Sequence, residues 1–219
     1  MAINKTQSEV QILENYRVAL TNAVTQSEVS ATLAVFGYTS EKIAIGNQLL
    51  DETTTAYNTT KKETNETVSA RADFDNKASQ VETVYSLHRK KAKVVFRKDD
   101  VALKQLGLIG SNSQAYAKWL EEVKLFYSVL QSNKTLLSQL ESLKVTTEEI
   151  NTAVTTIKEL ENARAIYLKE IGESQDATKA KDIAFAKLDD WMRDFYSVAK
   201  IAMEDKPQLL ETMGILVRS

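Results

Sequence analysis

The stretch GYTSEKI, Gly37–Ile43, returns as KVTTEEI, Lys144–Ile150, at an offset of 107 positions. Thr146 followed three residues later by Glu149 has the form of a capping box: the hydroxyl accepts from a first-turn amide and the carboxylate reaches back. Thr39 keeps the cap in the first copy, where Lys42 stands in place of the glutamate. Glu41 and Glu148 add negative charge where the helix dipole favours it. Both phrases start a helix.

The same offset carries without gaps along 38–109 and 145–216. Identities include Thr39/Thr146, Glu41/Glu148, Ile43/Ile150, Asp75/Asp182, Lys93/Lys200, Leu103/Leu210 and Gly107/Gly214. Each half closes alike, LKQLGLI against LLETMGIL, with Gly107 and Gly214 where a left-handed residue ends a last turn. Such self-similarity marks one supersecondary unit used twice. The expected unit has three long helices and a short terminal one. In the first copy these cover about 8–35, 39–67, 71–98 and 99–106, with a break near Gln26 capped by Ser27. The counterparts fall near 113–142, 147–172, 176–204 and 206–213.

Composition agrees. The chain has 219 residues with 6 glycines and 1 proline, Pro207, too few turn formers for a sheet protein. Phe74, Ala78, Val81, Tyr85, His88, Ala92 and Val95 alternate spacings of four and three, as do Phe185, Leu188, Met192, Phe195, Ala199 and Ala202. That is a heptad seam, which packs helices at shallow angles. The predicted fold is all-α: an elongated up-down helical bundle of two homologous repeats, 1–110 and 111–219. The repeats form either two three-helix bundles or one shared bundle.

Several functions are argued against. There is no cysteine, which removes disulfides and thiolate metal sites. The opening MAINKTQSEV lacks the basic and apolar regions of a secretory signal, so the Asn58, Asn65 and Asn133 glycosylation patterns carry no weight. No run of 18 apolar residues exists for a membrane span, and the expected location is cytoplasmic. A net charge of −2 gives no general pull toward nucleic acid. No serine, histidine and acid assemble into a triad, and IGES (171–174) and LIGSNS (108–113) read as breaks, not phosphate loops. The expectation is a protein that is not an enzyme, with no cofactor, no metal and no catalytic residue.

Three features remain. His88, the single histidine, occupies the seam position that Phe195 holds in the other copy. It reads as a packing residue with one nitrogen partnered, so His88→Phe is expected to cost little. Arg89, Lys90, Lys93 and Arg97 share one stripe of a helix, a candidate contact for an anionic partner or a solvated, dipole-complementing helix end. Thr53, Thr60, Thr64 and Thr67 continue the seam of the helix begun at Thr39, where the other copy has Leu160, Tyr167, Ile171 and Ser174. Threonine is a weak core residue, so this segment reads as a solvated, mobile hairpin tip and a candidate interaction surface.

The leading functional reading is a non-catalytic structural or protein-interaction module whose partner is protein, self or other. The alternatives are a binder of a small apolar ligand in the bundle core, and an anion or nucleic-acid contact through the basic stripe.

Overall fold

The computed structural model describes residues 7–215. The first six residues, part of the stretch read for a targeting signal, and Leu216, where the offset comparison ends, lie outside the described residues. The chain is all-α, with no strand among the described residues. Its helices are α1 (Glu9–Thr25), α2 (Ser27–Val35), α3 (Ser40–Val95), α4 (Asp100–Gln105), α5 (Tyr116–Ser132), α6 (Lys134–Leu140), α7 (Thr147–Ala202) and α8 (Gln208–Glu211). A single 3-10 turn, Glu141–Leu143, follows α6. Boundaries recur at an offset of 107: α1 against α5, and α3 against α7. No described helix is long and apolar enough to cross a membrane.

The expected pairs of helices, 39–67 with 71–98 and 147–172 with 176–204, do not exist as hairpins. Each pair is one helix of 56 residues. Thr67–Arg71 holds neither glycine nor proline to stop a helix. Gly172, in the IGES stretch expected to be a break, lies inside α7. An interior glycine costs only about 1 kcal/mol against alanine, which packing overrides. A Cβ there would meet nothing within 4 Å. Gly172→Ala should therefore raise stability by about 0.5–1 kcal/mol, measured by urea unfolding.

The threonine segment is consequently not a tip. Thr53 is fully buried, and its hydroxyl lies 2.7 Å from the Leu49 carbonyl and 3.2 Å from that of Ala184 on α7. Thr60 repeats the arrangement with Ala56 and Ala177, both at 3.0 Å. Thr64 is exposed and bonds back to Thr60 at 2.8 Å, while Thr67 reaches the Glu170 carbonyl at 3.1 Å. Bonding to the carbonyl four residues back lets these poor helix formers sit in a helix. The second acceptor ties α3 to α7. As α3 advances from Thr53 to Thr60, its partner on α7 retreats from Ala184 to Ala177, so the two segments run antiparallel in heptad steps.

Two compact units result, and neither follows the sequence division near residue 110. The first combines Met1–Asn65 with Gly172–Ser219, and the second is Glu66–Ile171. In the first, Leu20, Leu33, Ile43, Leu188, Met192 and Phe195 form the centre of the core. In the second, Tyr85, Phe96, Phe126, Tyr127, Leu140 and Leu160 do so. α3 and α7 each divide between the units, so each core takes one segment from each long helix. Within the second unit these segments are again antiparallel, linked by Lys77 to Glu159 at 2.5 Å and by His88 to Glu149 at 3.5 Å.

Turns fix where the helices stop. Gly37, Gly107 and Gly214 have φ of +83°, +64° and +76°. Each sits in a Schellman closure, for example Tyr38 N–H to the Leu33 carbonyl at 3.0 Å and Gly37 N–H to Ala34 at 3.1 Å. Lys144 is the counterpart of Gly37, adopts φ of +57°, and closes the same motif through Val145 and Leu140. A left-handed lysine is strained, so Lys144→Gly should stabilise by up to about 1 kcal/mol in the same measurement. Two helix starts depart from the sequence expectation. The N-cap of α2 is Gln26, not Ser27, and makes no side-chain cap bond. The segment expected as one helix over 113–142 breaks at Asn133, whose Oδ1 accepts from the amides of Thr135 and Leu136, both at 3.1 Å.

Candidate functional site

In the second unit a groove of about 640 Å³ opens between α3 and the first turns of α7, with Tyr127 of α5 behind it. α3 contributes Ser79, Gln80, Val81, Thr83, Val84, Leu87 and His88; α7 contributes Glu148, Glu149, Thr152, Ala153 and Thr156. The seam explains the arrangement. Val81, Tyr85, His88 and Ala92 point inward and are buried. Val84 and Leu87 sit one step round the helix and remain 39% and 51% exposed. Across from them α7 offers Ala153 and two threonines, with Glu148 and Glu149 at one end, and the space above the valine is not filled.

His88 forms the floor and is 3% exposed. Its Nδ1 lies 3.1 Å from the hydroxyl of Tyr127, and its Nε2 lies 3.5 Å from Oε2 of Glu149. Burial holds the imidazole below its ordinary pKa; Glu149 opposes this and Lys91 reinforces it. The ring is thus neutral at pH 7. A neutral ring suits both neighbours when the Tyr127 O–H donates to Nδ1 and the Nε2–H faces Glu149. Burial also pushes the Tyr127 phenol well above its ordinary range, so it stays a donor.

The direction of this shift sets a pH dependence. Below about pH 6.5 the unfolded chain takes up a proton on this histidine before the folded chain does. Stability contributed by keeping the ring neutral is therefore full above that pH and falls as pH drops toward the folded value. Urea unfolding of the parent and of His88→Phe at pH 7 and 5.5 should show a larger acid loss in the parent; equal losses would show that the ring titrates normally.

Glu149, expected as the return arm of the capping box, has a different role. Its amide donates to Oγ1 of Thr146 at 3.4 Å, which bears the cap, but its carboxylate faces His88. Glu148 is the group held at the helix start. Its own backbone amide and the Thr146 hydroxyl keep its carboxyl below the usual range.

Positions related by 107 residues differ sharply at this point in the first unit. There His88 and Tyr127 become Phe195 and Leu20, Val84 becomes Trp191, Ala153 becomes Gly46, and Glu149 becomes Lys42. Trp191 stacks on Phe195 at 5.5 Å and 16°, and meets Tyr38 edge-on at 5.8 Å. A Cβ on Gly46 would lie 2.5 Å from its Cη2. An indole of the chain itself thus occupies the first unit's equivalent space. Valine and alanine leave that space open in the second.

The basic stripe is placed differently from a free anion surface. Arg89 Nη2 and Lys93 Nζ both donate to the carbonyl of Gly110, at 2.8 and 3.3 Å. Burial and the neighbouring Arg89 hold the Lys93 ammonium below its ordinary pKa. Lys90 lines the same small hollow with Ser86 and Asn112, whereas Arg97 is exposed and not part of it. Two of the four cations therefore anchor the loop after α4. The groove residues Val84, Tyr127 and Glu149 were missed by motif reading. The available signal was the paired exchange of Trp191 for Val84 and Gly46 for Ala153 across the offset. Comparison with family models, characterised proteins and solved structures finds no match to this chain.

Proposed function

We propose that the chain is a non-catalytic helical protein that binds a small ligand in the groove beside His88. The framework is read as two homologous repeats, 1–110 and 111–219, on the shared identities and the recurring helix boundaries. A repeat that keeps its seam but exchanges tryptophan and glycine for valine and alanine changes one place while leaving the core apolar. The observation that carries the reading is that place: a mostly apolar groove of about 640 Å³ with a buried, doubly faced imidazole at its floor. Pockets of this size with a few convergent polar groups suit small molecules.

The test is Val84→Trp, which supplies the side chain that closes the equivalent space in the first unit. A thermal-shift screen with small apolar and amphipathic probes should yield compounds that raise the Tm of the parent and leave Val84→Trp unmoved. A screen in which no compound acts, or in which all act equally on both proteins, would overturn it. Ala153→Leu, filling the groove from α7, serves if the tryptophan variant does not fold.

A second reading, a protein-interaction module, is favoured by the exposed apolar side chains of Val84, Leu87 and Val94 along α3. Light scattering against concentration tests its self-associating form. A mass above the monomer that Leu87→Glu abolishes would support it.

A further inference from the structure

We infer that the ligand of this groove is a flat aromatic ring bearing an alkylamine; the inference rests on the ligand-binding reading above. The chain supplies its own reference compound. In the first unit the space is filled by an indole, which lies parallel to the Phe195 ring at 16° with centroids 5.5 Å apart. In the second unit the residue beneath that space is His88, another flat ring, held in place by the Tyr127 hydroxyl at 3.1 Å. A planar guest over Val84 and Ala153 takes the place of that indole and meets only the rim of the His88 ring, which is 3% exposed. Edge-to-face contact between rings at 4.5–7 Å is favourable beyond the area it buries. An aliphatic guest would fill the space without that gain.

Charge selects the other half of the guest. The groove is lined by Glu148 and Glu149 and by no lysine or arginine. The first unit puts a cation at this corner itself: Lys42, the counterpart of Glu149, holds its ammonium 4.1 Å over the Tyr38 ring. The second unit has an acid there, so the cation that completes the corner comes with the guest. Glu149 is the better-placed partner. Its carboxylate borders the groove beside the His88 ring, whereas Glu148 is bound into the helix start. An ammonium one or two methylenes from the ring reaches Glu149 while the ring lies over Val84 and Ala153. An anionic guest would instead meet two carboxylates.

His88 is the chain's only histidine, so its imidazole proton signals report the floor of the groove without assignment ambiguity. Three probes are titrated into the full chain and followed through these signals: tryptamine, indole-3-acetate and 2-cyclohexylethylamine. Tryptamine should move the His88 signals upfield saturably, as an aromatic ring lying over the imidazole edge does, and bind about tenfold tighter than either control. Glu149→Gln should weaken tryptamine about fivefold and leave indole-3-acetate no weaker. Equal affinity for the cyclohexyl amine, or tighter binding of the indole acid, would overturn the aromatic-amine assignment while the groove still binds. Silence of the His88 signals with all three probes, in a protein that the thermal-shift screen also leaves unmoved, would overturn the groove reading itself. Movement of those signals only with rising protein concentration would place a second copy in the groove and overturn the small-molecule assignment.

Discussion

Replacing His88 by phenylalanine should destabilise the protein by about 1–3 kcal/mol, and replacing Tyr127 as well should return most of that loss. The first substitution removes the partner of the hydroxyl of Tyr127, a residue 1% exposed, and a buried group left without its hydrogen bond carries its full desolvation cost. In His88→Phe/Tyr127→Phe neither partner remains, and the pair approaches the apolar Phe195–Leu20 pair that the first unit uses at the same positions. The coupling between the two sites should be about 1–2 kcal/mol, read as a shift of the urea midpoint at unchanged slope across the four proteins of a double-mutant cycle. Additive losses would show that the 3.1 Å contact contributes nothing specific. The expectation from sequence, that the phenylalanine would cost little, considers the ring's shape and not the hydroxyl behind it.

Gly46→Ala should have the opposite sign from Gly172→Ala, although both are alanine for glycine inside a long helix. At Gly172 the new methyl meets nothing, whereas at Gly46 it lies 2.5 and 2.6 Å from two ring carbons of Trp191. The indole is packed on Phe195 and Tyr38, so it cannot simply turn aside. Overpacking of this kind costs about 1–3 kcal/mol, which exceeds the gain of about 1 kcal/mol from helix propensity. Gly46→Ala should therefore unfold at lower urea and shift tryptophan emission to the red as the indole gains water. Adding Trp191→Val should recover most of the loss, because alanine facing valine is the pair the second unit already holds at 153 and 84. A Gly46→Ala protein as stable as the parent would show that the ring has room to move. The double variant also opens in the first unit a space like that beside His88, though with phenyl at its floor and Lys42 at its corner.

Much of the local structure was legible because local chemistry specifies it. The threonine at Thr39 and Thr146 marks two helix starts, and the glycines at 107 and 214 mark left-handed closures. The α5–α6 break was within reach too, since Asn133 is a good cap, but continuous periodicity across it hid the signal. The heptad seams named the buried faces, and Val81, Tyr85, His88, Ala92, Leu188, Met192 and Phe195 are all buried. The groove was not legible as a motif. Its residues come from α3, α5 and α7, and each has an ordinary local explanation: a seam histidine, a core tyrosine, a capping-box glutamate.

By itself, the sequence determined an all-helical chain, where most helices begin and end, and which face of the segments 74–95 and 185–202 is buried, because those properties depend on neighbours within a turn or two. Tertiary structure alone decided that residues 39–98 and 147–204 each contain one long helix in place of a hairpin. Propensity is nearly indifferent at Thr67–Arg71 and Gly172, so the choice falls to what each face packs against. Along α3 the threonine hydroxyls find carbonyls of α7, and this non-local pairing turns a stretch that reads as a solvated tip into a packed seam. The groove arises in the same way: whether valine at 84 leaves a space depends on the alanine at 153, sixty-nine residues away.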